Sequence, residues 1–487
     1  MISLRALFKS SIIYGAGSAV MRIMTFLLLP LYTNALDVNG QEWYGNYALV
    51  ITTIAFLRIC YSHGTGDSFL KLYSQANEQN KKNIISTYII YILIVVIIGS
   101  GIFLLLNFLI GPQQTSSLIK LLQDYIYYIL LIVIFDTLNY RVIDILRIKN
   151  YALYYMFGQI AGVICTLSLA YYCVIKLNMG LEGALLALLG GSCITFILFA
   201  PILIKNISLP HFSTLYLKDM LHLGIRFFPA ALFFMCMALL DRYLLWFCLD
   251  GDSGLKENAI GAYSVGAKFA SVPMLLISAF NLGWQPFYLT NGVDVNAIKK
   301  YQKVGTIFTI MVLSVAWIVA IIMPIIGELN IPYTTTPIIG GHYSNFTSVI
   351  PIILISHVFY ALYIINMPSI YLCNKQNWSP LFRMAGALMN IILNIILIPI
   401  YGIQGAAIAT ALSYGFMFIF LFYKNQKWMP IKLAWNDIII LAIMVFASIL
   451  TTTQAMSIQY YLMLLTFLYI CFLLYKHGIK NLILLFK

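Results

Sequence analysis

Apolar residues along the chain gather in runs of roughly 20, each closed by a short polar link. As a helix, a run of that length crosses the hydrocarbon of a bilayer, and a helix satisfies its own backbone groups there. The pattern predicts about fourteen spans, near residues 10–31, 44–61, 86–109, 122–146, 151–175, 181–203, 227–249, 261–284, 304–326, 349–372, 381–400, 406–423, 437–453 and 457–475. No link exceeds roughly 25 residues, which leaves no room for a soluble domain. One run strains the pattern: FFPAALFFMCMALLDRYLLWFCL, 227–249, carries Asp241 and Arg242 well inside it. On insertion scales each charge near a helix centre costs roughly 2.5–3.5 kcal/mol, so the two need a reason to be there.

The polar links set an orientation. One alternating set holds Arg5, Lys9, Lys71, Lys81, Lys82, Arg147, Lys149, Lys205 and most other link cations, whereas the opposite set holds Lys120, Lys176 and Lys256. Cytoplasmic links carry the excess of Lys and Arg, so both termini are expected in the cytoplasm. The chain also repeats itself at a spacing of roughly 216–226 residues. WYGNYALV (43–50) matches AIGAYSVG (259–266), and GLEGALLALLGGS (180–192) matches GIQGAAIATALSY (402–414). The small residues of the second pair suit close helix packing and serve here as repeat markers. The expected fold is therefore an all-α integral membrane protein of about 14 transmembrane helices, two pseudo-symmetric six-helix lobes plus two C-terminal helices. The lobes are read as 1–210 (helices 1–6) and 211–430 (helices 7–12), with helices 13–14 in 431–487. Parallel repeats of this kind are a transporter architecture with the substrate path between lobes.

Composition mainly removes alternatives. Hydrophobic residues make up 62% of the chain and charged residues 9%, against roughly 25% charged in a soluble protein. The net charge of +13 would suit nucleic acid, but its concentration in alternate links makes it a topology signal, and no nucleic-acid partner is expected. All eight cysteines lie in apolar segments without CxxC spacing and read as small buried hydrophobes. There is no P-loop and no HExxH, and the six histidines are dispersed, so neither catalysis, a metal nor a cofactor is expected. The apolar run after Arg5 and Lys9 continues through Arg22 to Pro30, too long and interrupted for a signal peptide, and reads as a retained first helix.

Four stretches carry a family resemblance: FLLLPLYTNAL followed by WYGNYAL, LLDRYLLWFCL followed by IGAYSVGAKFAS, AFNLGWQPF (279–287), and NIILNIILIPIYGIQGAAIATALSY (390–414). In this order, over nearly the whole chain, they make it similar to polysaccharide flippases of the multidrug/oligosaccharidyl-lipid/polysaccharide exporter superfamily, of the O-antigen flippase type. The resemblance implies a multi-pass protein of the bacterial inner membrane. It implies movement of undecaprenyl-diphosphate-linked oligosaccharide, an O-antigen or similar surface polysaccharide unit, from inner to outer leaflet by alternating access. H+ or Na+ is the candidate coupling ion, and polysaccharide polymerase machinery a candidate partner. At Lys71 the family pattern more often shows Arg, so that position transfers only as a cation.

Charges within spans then become candidate site residues. The cations are Arg22, Arg58, Arg141, Arg226, Arg242, Lys268 and Arg383, and the acids Asp136, Asp144 and Asp241. Such residues are expected to face a bundle interior or a wet cavity. A diphosphate cannot cross hydrocarbon unaided, and guanidinium groups match its oxygens by paired hydrogen bonds. Arg22, Arg58, Arg242, Lys268, Arg141 and Arg226 are read as cations lining the substrate path, with Asp241 and Asp136 as coupling or ion-pair groups. By depth, Asp241 is expected to pair with Lys268 or Arg22 rather than with adjacent Arg242. The plainer role for cations near span ends, Arg141, Arg226 and Arg383, is snorkelling or locking helices together. Two other functions compete. A drug/cation antiporter of the same superfamily calls for an acidic lumen, against the basic excess here. A membrane polysaccharide polymerase or glycosyltransferase calls for a large external loop, whereas the longest, 326–348, holds little beyond Glu328 and His342.

Overall fold

The computed structural model describes residues 24–36, 42–111, 117–149, 151–330, 337–450 and 456–478. These are helical almost throughout, and their one isolated bridge, Asn330 to Pro337, forms no sheet. The described part of α1 covers 24–34. There follow α2 (Tyr44–Ser62), α3 (Thr65–Gln75), α4 (Glu78–Ile110), α5 (Ser117–Asp124), α6 (Ile126–Ile148), α7 (Ala152–Ala170), α8 (Gly180–Asn206) and α9 (Thr214–Leu239). The remainder are α10 (Asp241–Cys248), α11 (Ser253–Ala270), α12 (Val272–Asn291), α13 (Val295–Glu328), α14 (Ile350–Asn366), α15 (Pro368–Leu372), α16 (Trp378–Trp428), α17 (Trp435–Leu450) and α18 (Met456–His477).

Among the described residues, eight helical runs are long and apolar enough to cross a membrane, and three bent pairs bring the count to eleven. The 51-residue α16 holds two expected spans, because it breaks at Gly402, whose φ of 57° and ψ of −131° are not helical. With α17 and the described end of α1, every expected span falls on helix where its residues are described; 10–23 of the first span and 451–453 of the thirteenth lie outside the described residues. The all-α membrane fold read from the sequence is the one observed. Several spans differ in detail: 122–146 is bent by 60° at Tyr125 between α5 and α6, and 261–284 by 45° at Ser271 between α11 and α12. The run 227–249, expected as a single helix, is divided at Leu240 between α9 and α10.

Two compact units emerge from the packing. The first comprises Met1–Trp246, Asp250–Gly261 and Ile339–Tyr343, and the second Phe247–Leu249, Ala262–Ile338 and Ser344–Lys487. In the first unit α7 lies along α8, α6 packs on α2 and α8, and α9 covers α3 and α4. The α2–α3 junction turns through two left-handed residues, His63 and Gly64. Gly64 brings the chain against α9, where a Cβ would stand 2.4 Å from the Gly224 carbonyl oxygen, so a side chain is excluded by both space and φ. In the second unit α14 lies along α16, α13 packs on α14 and α17, and α17 pairs with α18. Asn390 Nδ2 donates to Thr410 Oγ1 at 3.4 Å, joining the two arms of α16 across its break.

Candidate functional site in the first unit

Two charged clusters sit on the helices of the first unit. In one, α2, α6 and α8 bring together Arg58, Asp136, Tyr140 and Ser192. Arg58 Nη1 stands 3.8 Å from Asp136 Oδ2, with the side chains 33% and 22% exposed. The same nitrogen donates weakly to the Tyr140 hydroxyl at 3.4 Å, and the guanidinium lies 4.7 Å from the Tyr140 ring centroid. The other carboxylate oxygen of Asp136 is held at 2.7 Å by the Ser192 hydroxyl. Asn139 Nδ2 fixes that part of α8 by donating to the Ser192 carbonyl at 2.9 Å. An accessible ion pair at this distance is worth about 0–1 kcal/mol and the ring contact about 0.5–1 kcal/mol. Arg58 is thus a part-exposed cation whose carboxylate partner stands beyond direct hydrogen-bond distance.

The second cluster is sealed. Arg141 of α6 donates to the Tyr88 hydroxyl of α4, which in turn donates to Asp144 Oδ2 at 2.6 Å. Arg141 Nη1 lies 3.6 Å from the same carboxylate oxygen. Phe69 of α3 stacks on Tyr88 with ring centroids 4.1 Å apart and planes 5° from parallel. Gly66 closes the top: a Cβ there would stand 3.2 Å from both Arg141 Nη1 and Asp144 Oδ2. Arg141 Nε is buried with no hydrogen-bond partner among the described residues. The network ties α3, α4 and α6 together and gives Arg141 an orienting role toward its neighbours.

Asp241 and Arg242 are both buried. Both lie just past the α9–α10 division, as the first two residues of α10, next to the carbonyls of the last turn of α9 that need donors. Arg242 Nη1 supplies one by donating to the Ala238 carbonyl at 2.9 Å. Asp241 opens α10, where the helix dipole favours a negative charge. The next residue, Tyr243, binds back to α2, with its hydroxyl hydrogen-bonded to Thr53 Oγ1. Lys268 belongs to the second unit and lies in the last turn of α11, where Ser271 Oγ donates to its carbonyl at 2.7 Å. Arg383, in α16, is likewise a residue of the second unit. Arg22 and the side chain of Arg226 lie outside the described residues.

A family model described as "Polysaccharide biosynthesis protein" matches residues 7–287, more than half of the chain. The chain belongs to that family. Solved structures place the fold of this polysaccharide biosynthesis protein. The lipid II flippase MurJ in an inward closed conformation superposes with a TM-score of 0.63 at 18% identity, covering 96% of this chain and 99% of that one. A MATE transporter in a straight conformation gives 0.62 at 17% identity over 87% of this chain and 95% of the other. An inward-facing multidrug resistance MATE family transporter of the MOP superfamily gives 0.57 at 15% identity, over 88% and 94%. No curated protein sequence matches the chain. The polysaccharide biosynthesis family member thus has the helical membrane fold shared by these transporters.

Several polar contacts of this family member were not anticipated. His342 Nδ1 lies 2.5 Å from Glu42 Oε1, joining residues 300 positions apart within the first unit. Burial pushes the Glu42 carboxyl above the ordinary glutamate range, against the opposing pull of His342. Tyr88 and Ser192, the donors to Asp144 and Asp136, carried no signal among so many hydroxyl side chains. The three-residue spacing of Arg141 and Asp144 on one helix did carry one, since such pairs face each other. Among the described residues no group of three or more His, Cys, Asp or Glu side chains is placed to hold a metal.

Proposed function

We propose that this protein is a flippase that moves an oligosaccharide carried on a polyprenyl diphosphate from the inner to the outer leaflet by alternating access. The observation that carries the reading is Arg58. It is a guanidinium within a membrane-spanning helix, part-exposed, backed by an aromatic ring and only loosely paired. A phosphate oxygen accepts a stronger, shorter bond from it than Asp136 does at 3.8 Å. Family membership supports polysaccharide chemistry for the headgroup, and the lipid II flippase among the structural neighbours supports a lipid-linked oligosaccharide. The carrier in this reading is undecaprenyl diphosphate, the glycan an O-antigen or similar surface unit. The membrane is the bacterial inner membrane with both chain termini cytoplasmic, and a polysaccharide polymerase receives the product.

Within this reading Arg58 and Arg242 meet the anion together with Arg22 and Arg226, while Arg141 positions α6. Asp136 is the coupling group. Taking up H+, or exchanging Arg58 for Na+, frees the guanidinium for phosphate. The test is reconstitution in proteoliposomes with purified lipid-linked oligosaccharide and an assay of glycan exposure in the outer leaflet. Arg58→Gln should lower the rate by at least tenfold at equal protein, and Arg58→Lys should rescue only part of it, because an ammonium lacks the planar fork. An unchanged rate in Arg58→Gln would remove Arg58 from the path. A drug/cation antiporter is the second reading, favoured by the MATE neighbours. It calls for export of cationic dyes by the same proteoliposomes and no glycan exposure.

A further inference from the structure

At one end of the first unit, the C-terminal turns of α6 and α8 carry three cations, two of which, Lys149 and Lys205, are electrostatic neighbours. Arg147 lies in the last turn of α6, Lys149 caps that helix, and Lys205 lies in the last turn of α8. Lys149 Nζ donates to Asn206 Oδ1 at 3.0 Å, which holds its ammonium toward α8. Among the described residues none of the three cations makes an ion pair. Two helix C-termini carry partial negative charge here and offset some of the repulsion. Even so, burial and the neighbouring Lys205 push the Lys149 ammonium below the ordinary lysine range. An excess of positive charge remains, and it calls for an anion.

The surface directly beneath says which kind. α7 runs back along α8 from this end, with Tyr154 donating from its hydroxyl to the Leu198 carbonyl. Their outer faces present Leu153, Phe157 and Ile204, all exposed. Apolar side chains exposed on a membrane-spanning helix meet acyl chains, and basic pockets between such helices bind lipid headgroups. A free phosphate would use the cations and leave the apolar face idle. A phospholipid uses both.

We propose that Lys149 and Lys205 form a site for the phosphodiester headgroup of an anionic phospholipid, with its acyl chains along Leu153, Phe157 and Ile204. The site is separate from Arg58 and Asp136, and it stands whether or not the protein carries a glycan lipid. Native mass spectrometry of the full chain in detergent tests it, with titration by dioleoyl phosphatidylglycerol, by dioleoyl phosphatidylcholine and by inorganic phosphate. Phosphatidylglycerol adducts should form at lower concentration than phosphatidylcholine adducts. Lys149→Gln and Lys205→Gln should each weaken them by roughly fivefold and the double variant by roughly twentyfold, with phosphatidylcholine adducts unchanged. The control variant Lys299→Gln/Lys300→Gln, equal in charge loss but in the second unit, should bind as the wild type does. If the double variant is not monodisperse, the single variants carry the test. Equal binding of the two lipids overturns the proposal. So does wild-type binding by the Lys149 and Lys205 variants, or an equal loss in the control. Displacement of phosphatidylglycerol by about 10 mM inorganic phosphate would mean a free-phosphate site and overturns the lipid assignment.

Discussion

Replacing Arg141 with Met removes the cation from the sealed cluster of α4 and α6. At 3.6 Å and an effective dielectric of about 20, the attraction lost is about 4–5 kcal/mol before desolvation is subtracted. Removing one partner of a buried pair costs about 3–5 kcal/mol, because the other charge stays behind. Here Asp144 keeps the Tyr88 hydroxyl at 2.6 Å and is 15% exposed, which lowers the expected loss to about 2–3 kcal/mol. Asp144→Asn strands the guanidinium in the same way and should cost a similar amount. Arg141→Met/Asp144→Asn strands nothing and should cost about 1–2 kcal/mol, roughly 3 kcal/mol less than the sum of the single losses. The assay is equilibrium unfolding in mixed micelles, with wild type, both single variants and the double variant compared under one condition. Purely additive losses, or single losses under about 0.5 kcal/mol, would refute the argument that the cluster holds α4 to α6. Glycan exposure by the double variant separates two roles. A positioning Arg141 predicts export near the wild-type rate per molecule, and loss of export at restored stability would place Arg141 on the substrate.

Other outcomes follow from single contacts. Because the folded state raises the Glu42 pKa, its contribution to stability is full below the ordinary glutamate range and is lost as pH rises through the raised value. Melting temperatures across that window should fall for wild type and stay flatter for Glu42→Gln; parallel curves would deny Glu42 the effect. Gly402→Ala places a side chain at a φ of 57° and should cost about 1–3 kcal/mol, read as a lower melting temperature. Gly45→Val sets a Cβ about where 2.0 Å separates it from the Glu257 carbonyl oxygen, and should sharply reduce the folded fraction on size-exclusion chromatography. Arg242→Met leaves the Ala238 carbonyl without its guanidinium donor and should cost about 1.5–3 kcal/mol, with wild-type stability the contrary result.

Hydropathy made the spans legible because the bilayer enforces a minimum apolar length on every helix. Breaks were harder to see. Gly402 was legible as a repeat marker, but its positive φ depends on how the arms of α16 pack, and the division at Leu240 lies in a run with no Gly nearby and its Pro eleven residues upstream, at Pro229. For the charges, position within spans marked Arg58 and Asp136 singly, and the structure brings them within 3.8 Å. Depth alone could not reveal that Tyr88 bridges Arg141 and Asp144, because partner choice depends on the rotation of α4 about its axis. Glu42 and His342 are joined by a fold of the chain that no local pattern records.

Five residues, Ile339–Tyr343, belong to the first unit although the chain on either side of them belongs to the second. Gly340 N–H bonds Thr33 Oγ1 at 3.3 Å, His342 meets Glu42, and Tyr343 sets its ring edge-on to Tyr44. The first unit is therefore not built from one unbroken stretch of chain. A gene cut between α9 and α13 would yield a first fragment lacking His342, the partner of Glu42, and a second fragment carrying that histidine without its carboxylate. Split versions of this protein should reassemble only when both fragments are made together, and a circular permutant should tolerate new ends elsewhere before it tolerates them between α13 and α14.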